Sequence, residues 1–311
     1  MTVVLYSVIA ASALVFAAAS AWRAVWYARH PMHLRWELYP VPHETPARAA
    51  HGGSYFEAGE WWHERQKANR IGEWAFMARE IVFLHALREH NRCLWYRSFP
   101  FHFGLYLLIG AILAVLVEAA MLIATGAALP GATGTVLSAL RTWTGAAGLA
   151  LTLGGAIALF VYRHTSPDLR TSTTPGDLFN LLFFAAALGL VAAGMITAPA
   201  GSPGLAAIAS GVLTWDLTLQ VPGLLAAGLV TAALLAAYIP LTHMSHFIGK
   251  YFTYHAVRWD DRPMAGNRRI AAALAESLTY RSRWSAGHVA GGKTATWADV
   301  VAADPTKDGR R

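Results

Sequence analysis

PGLLAAGLVTAALLAAYIPLTHMSHFIGKYFTYHAVRWDD, residues 222–261, begins as an almost purely apolar run and ends as a charged, aromatic tail. A helix crosses a hydrocarbon core about 30 Å thick with about 20 apolar residues. Pro222 to Phe247 is long enough to do so, so the stretch reads as a span that leaves its apolar surroundings where His243 and His246 stand.

Four earlier runs read the same way: Val3 to Tyr27, Phe101 to Thr125, Gly145 to Tyr162 and Leu178 to Thr197. Of 311 residues, 55% are hydrophobic and 14% charged, and the mean hydropathy of +0.37 is too high for an ordinary soluble domain. The expected fold class is an all-α membrane protein with five transmembrane helices. Ala and Gly are frequent in the runs, which suits close helix packing in lipid. The first run contains AAASAW, a stretch like a signal-peptide cleavage site, but Arg23 and Arg29 follow the apolar residues instead of preceding them. That charge order predicts a retained helix.

Basic residues set the expected orientation. They crowd the segment from Arg29 to Arg97, recur at Arg163 and Arg170 and again from Lys250 onward, whereas 127–144 and 198–221 carry only Arg141. The positive-inside rule then predicts an outer N-terminus and a cytoplasmic C-terminus. The net charge of +7 is accounted for by cytoplasmic segments beside anionic membrane lipid, with no nucleic acid partner. The organisation expected is a first transmembrane helix at 1–27, a cytoplasmic or interfacial segment at 28–100, helices two to five within 101–247, and a cytoplasmic partner-binding tail at 248–311.

The segment after the first span is about seventy residues, long for a connection. YPVPHETP (39–46) should be extended, because proline disfavours helix in the residue before it. From Glu60 to Trp95, helical spacing sets Trp61, Trp62, Ile71, Trp74, Ala78, Ile81, Val82 and Leu84 among Glu, Arg and Lys, an amphipathic pattern. Such a helix suits the membrane interface or a docking surface for a soluble partner. The tail has few apolar anchors, as in RWSAGHVAGGKTATWADVV (283–301), and is expected to be ordered mainly by a partner.

Cys93 is the single cysteine, which excludes CxxCH haem attachment, a four-cysteine iron–sulfur cluster and an internal disulfide. Electron chemistry would have to work through histidines. Thirteen are present, most in the cytoplasmic segments, where a solvated histidine is ordinary. Three lie at membrane depth: His102 in SFPFHFGLYLLIG (98–110), opening the second span, and His243 and His246, closing the fifth. Two spans of opposite direction bring the start of one and the end of the other to the same depth. Two neutral imidazoles there suit a haem iron, and interfacial histidines bonded to carbonyls or lipid phosphate are the plainer alternative. His243 and His246 are three apart, so on one helix both face roughly one side. One would then ligate iron while the other meets a haem propionate or a quinone, and spacing does not choose between them. A transporter is disfavoured, because the spans lack paired charges and Glu118 is the only acidic residue well inside one.

FHFGL at the second span resembles the haem-ligating motif of the respiratory nitrate reductase gamma subunit, a five-helix cytochrome b with an outer N-terminus. PLTHMSHF resembles its second motif, whose register selects His246 and leaves His243 where those subunits carry arginine. HMSHFIGKYFTYHAVRWDD, WSAGH and GGKTATWADV are similar to a branch of membrane subunits from sulfate-reducer and heterodisulfide-reductase-like complexes. The resemblance implies a bacterial or archaeal cytoplasmic membrane, His102 and His246 as iron ligands, and an electron relay between menaquinone or ubiquinone and a cytoplasmic iron–sulfur protein. His243, Lys250, Tyr251 and His255 become candidates for propionate or quinone contact. Where two-haem members carry their other ligand pair, this chain has Ile112 and Gly228. One haem b near the cytoplasmic face is therefore expected. The alternative reading is a haem-free membrane anchor or assembly protein of a respiratory complex.

Overall fold

A computed structural model describes residues 1–29, 44–53, 57–60, 69–254, 267–281 and 295–302. In chain order the helices are α1 (Thr2–Arg29), α2 (Pro46–Ala50), α3 (Arg70–Phe83), α4 (His85–His90), α5 (Arg92–Thr125), α6 (Gly131–Thr165) and α7 (Pro167–Arg170). Then come α8 (Pro175–Ile196), α9 (Leu205–Thr214), α10 (Gly223–Tyr238), α11 (His246–Tyr254), α12 (Arg268–Leu278) and α13 (Trp297–Ala302). No strand occurs among the described residues, only an isolated bridge between Arg281 and Thr296. Five helices are long and apolar enough to cross a membrane, the last running from Gly223 through Leu241. This is the build of a multi-pass membrane protein.

Two helices start well before the apolar runs that announce them. α5 begins at Arg92 and passes through Pro100, capped by the Asn91 side chain, which accepts from Leu94 N. α6 takes in Gly131 to Thr144, which in sequence looks like a loop of Gly and Thr. Inside the helix Thr135, Thr142 and Thr144 donate their hydroxyls to carbonyls four residues back, which satisfies them without water. The early start also brings Arg141 to Glu118, Nε to carboxylate, at 2.9 Å. The expectation that the spans lack paired charges is thereby corrected. The stretch read as one amphipathic helix from Glu60 to Trp95 is broken at Leu84, which adopts φ +50, and again at Asn91. Trp61 and Trp62 lie outside the described residues.

The chain divides into two units. The first comprises residues 1–22 and 75–245. Its core joins Phe101, Ala156, Leu159, Leu181, Phe184, Ala187 and Leu235, from α5, α6, α8 and α10. α5 and α6 approach backbone to backbone: a Cβ on Gly155 would lie 2.6 Å from Phe101 N, and one on Gly104 would lie 2.6 Å from Thr152 N. Small residues permit that approach, and dispersion along it holds helices together where lipid gives no hydrophobic drive. A second cluster seats Leu5 and Tyr6 of α1 on Ala226, with Val212 and Val221 around them. There Tyr6 donates its hydroxyl to Asp216 O at 3.0 Å. Asp216 lies in the turn between α9 and α10, where the Thr218 hydroxyl and backbone N–H hold its carboxyl below the ordinary range.

The second unit comprises residues 23–74 and 246–311. Tyr27 stacks on Phe252 of α11, and Arg269 of α12 donates to Ala28 O at 2.9 Å. In the tail, Trp297 N donates to Tyr280 O at 3.0 Å, drawing α13 to the end of α12.

Candidate functional site

His102 sits in the third turn of α5. Its Nδ1 lies 2.8 Å from the Ser98 carbonyl, and the Ser98 hydroxyl stands 3.3 Å from the same nitrogen. A carbonyl only accepts, so Nδ1 carries the hydrogen and the neutral ring has its lone pair on Nε2. Ligand histidines are characteristically oriented this way, by a carbonyl on the nitrogen that does not bind metal. Helical spacing puts Trp95, Phe99 and Tyr106 on the same face as His102. Trp95 and Phe99 stack with centroids 4.9 Å apart. Trp95 donates its indole N–H to Phe83 O and Tyr106 its hydroxyl to Ile81 O, at 2.7 and 2.8 Å, which fasten the end of α3 beside this face. Arg97, bonded to Cys93 O, spreads over the Tyr162 ring at 4.1 Å.

The fifth span ends differently from a continuous helix. Pro240 has no N–H to donate, and α10 stops at Tyr238. A short 3-10 turn follows over Ile239–Leu241, and Thr242 is extended. His243 occupies a second such turn, and His246 opens α11 in the other unit. The expectation that His243 and His246 share one helical face is therefore corrected: three residues of spacing align side chains only along an unbroken helix. Lys250 and Tyr251 are on α11, with Tyr251 edge-on to Phe252 at 5.3 Å. His255 lies outside the described residues.

His243 meets α8 within the first unit. Its Nε2 stands 3.3 Å from Asp177 Oδ1 and 3.2 Å from the side-chain nitrogen of Asn180. The Asn180 oxygen accepts from the Tyr238 hydroxyl at 3.0 Å. Asp177 is itself held by local geometry. Thr174 is the N-cap of α8; its hydroxyl accepts from Asp177 N, while Asp177 Oδ2 takes the Thr174 N–H at 2.9 Å, closing a capping box. One carboxylate oxygen thus caps the helix and the other faces the imidazole. Asp177 and Asn180 escape a reading centred on histidines. Their signals in sequence are a Thr-x-x-Asp pattern before an apolar run and an Asn three residues further on, inside it.

Ile112 and Gly228, the positions where a second ligand pair would fall, are occupied in another way. Ile112 is 57% exposed on α5. Gly228 is clamped: a Cβ there would stand 2.7 Å from Val191 N. Among the described residues no three His, Cys, Asp or Glu side chains gather as a metal site. No protein-family model, curated protein or solved structure matches this chain.

Proposed function

We propose that this chain is a haem b membrane-anchor subunit that relays electrons between a membrane quinone and a cytoplasmic iron–sulfur protein, with its N-terminus outside. The observation that carries the reading is the His102 ring, whose Nδ1 lies 2.8 Å from the Ser98 carbonyl, the orientation characteristic of a histidine that ligates metal through its other nitrogen. By the resemblance to the gamma subunits, His102 and His246 would hold the group, two imidazoles being a donor set that suits a b-type haem. When bound, that haem supplies a one-electron relay whose potential follows from axial ligation, hydrogen bonding and burial.

The chain's own residues do the rest. Ser98 fixes the tautomer of His102, and the aromatic face of Trp95 and Phe99 offers an apolar surface to a macrocycle. The single cysteine makes a cluster within this chain impossible, so an iron–sulfur group must come from a partner. Gly228, clamped against α8, has no space for a ligand side chain, which supports one haem and not two. His243, Lys250, Tyr251 and His255 are proposed for contact with quinone or propionate.

The test is a reduced-minus-oxidised spectrum with haem quantification on the purified membrane protein, repeated for His102→Ala and His246→Ala. One haem per chain, lost in both variants, is expected. Two haems would refute the count, and normal spectra in both variants would leave a haem-free anchor.

A further inference from the structure

We infer that the end of α3 is immersed in the membrane boundary beside the start of α5, with Ile81 and Phe83 covered by lipid. The inference stands on the membrane-spanning helices alone and is independent of the haem reading.

Helical spacing suits α3 to a lipid surface or to a soluble partner, and its bonds to α5 favour lipid. The last four carbonyls of a helix have no partner within it. α3 ends at Phe83 because Leu84 turns to a left-handed φ of +50. Two of the end carbonyls then accept from α5, Ile81 O from the Tyr106 hydroxyl and Phe83 O from the Trp95 indole. At a solvated helix end water fills that role; within a membrane the protein must supply the donors itself. The turn that follows is held the same way, since the buried Glu80 carboxylate accepts from Ala86 N at 2.8 Å in the first turn of α4.

Depth follows from the register of α5. Tyr106 stands five residues beyond Phe101, where the apolar run begins, and a rise of 1.5 Å per residue sets it about 7–8 Å further in. An amphipathic helix at a membrane buries its apolar face about 5–10 Å into the boundary between headgroups and acyl chains. The bond from Tyr106 holds Ile81 in that range. A soluble protein would have to reach beneath the headgroups to cover it.

The face of α5 that α3 meets points the same way. Tyr106, Ile109, Leu113 and Leu116 recur at three- and four-residue intervals, which makes one stripe, and the last three are exposed. On a helix long and apolar enough to cross a membrane, an exposed stripe of this kind meets acyl chains. The end of α3 sits at the head of it, with Ile81 43% and Phe83 51% exposed and Met77 buried. Along α3 itself, Ile71, Trp74 and Ala78 continue the stripe of Ile81 at helical spacing and are exposed. Tryptophan is the side chain that favours headgroup depth.

The test uses the full chain with Cys93→Ser, in nanodiscs of phosphatidylcholine and phosphatidylglycerol. A single nitroxide is placed on Ile81→Cys or Phe83→Cys, with Ile109→Cys as the lipid standard and Ser172→Cys, in the turn between α7 and α8, as the water standard. All these positions are exposed, so the variants should fold. Power-saturation electron paramagnetic resonance compares collisions with oxygen, which concentrates among acyl chains, and with a nickel chelate, which stays in water. Positions 81 and 83 should favour oxygen over the chelate, as Ile109 does, at depths of about 5–10 Å. A ratio like that of Ser172 at either position overturns the proposal and leaves a water-facing surface open to a soluble partner. Shielding from both reagents overturns it as well, because protein then covers the position.

Discussion

The two ends of the α8/α10 contact are built from the same pair of antiparallel helices and have opposite chemistry. At one end Gly194 lies under Leu225 and Gly228 under Val191, so closely that a Cβ on either glycine would come within 2.7 Å of opposing backbone. At the other, Asn180 pairs with Tyr238, and Asp177 faces His243. Between them Phe184, Ala187 and Leu235 are buried. The glycine end is closed to ligands because backbones touch and nothing projects between them. At the polar end the helices meet through side chains, and α10 gives way to 3-10 turns that leave His243 exposed. Where two membrane helices meet through glycine a bundle gains packing; where they meet through hydrogen-bonding side chains it gains a place for chemistry, at the cost of desolvating those groups.

Breaking the closed end should have the largest effect. Gly228→His would supply the imidazole missing from a second ligand pair, but its side chain would have to displace the backbone of α8. Overpacking of this kind costs about 1–3 kcal/mol and occasionally more, and here the obstacle is backbone, so loss of folded protein is expected in thermal unfolding monitored by circular dichroism. A stable variant that gains a second haem would erase the distinction between the two ends.

At the polar end, Asn180→Leu should destabilise by about 1–3 kcal/mol, the usual range for stranding buried polar partners, and urea or thermal unfolding in detergent measures it. Tyr238→Phe removes one hydroxyl from the same chain and should cost about 1 kcal/mol. If both variants unfold like wild type, the polar end adds nothing to stability. Thr174→Ala opens the capping box and should cost about 1 kcal/mol, read in the same unfolding experiments.

The smallest effect sharpens the comparison through a second Thr-x-x-Asp box. In α13 Thr296 gives its backbone N–H and hydroxyl to Asp299, each at 2.8 Å, and these bonds hold that carboxyl below the ordinary carboxylate range. A depressed folded value means that the stabilisation is present above the unfolded value, about 3.9, and is lost as pH falls through the folded one. Fraying of α13 is therefore expected only in strong acid, read as faster amide exchange at residues 297–302. Asp299 has no histidine opposite it among the described residues, whereas Asp177 faces His243.

The five spans were legible because length and apolarity are local properties of a run. Their boundaries were less so. Arg92 to Pro100 and Gly131 to Thr144 contain Arg, which lowers the hydropathy of a run, and Pro, Gly and Thr, which discourage helix in water, yet α5 and α6 absorb them through an Asn91 cap and hydroxyls bonded back to the helix. His102 was visible as an imidazole at a span's start. Its tautomer was not, because that depends on which nitrogen the Ser98 carbonyl meets.

By itself the sequence determined five helices long and apolar enough to cross a membrane, and a single cysteine. Both need only neighbours a few residues apart or a count along the chain. Tertiary structure alone decided that Asp177 has an imidazole opposite its second oxygen, that Gly228 is sealed, and that His243 and His246 part at a broken helix. Those outcomes hang on contacts such as Asn180 with His243, 63 residues apart, whose geometry exists only once α8 and α10 lie side by side.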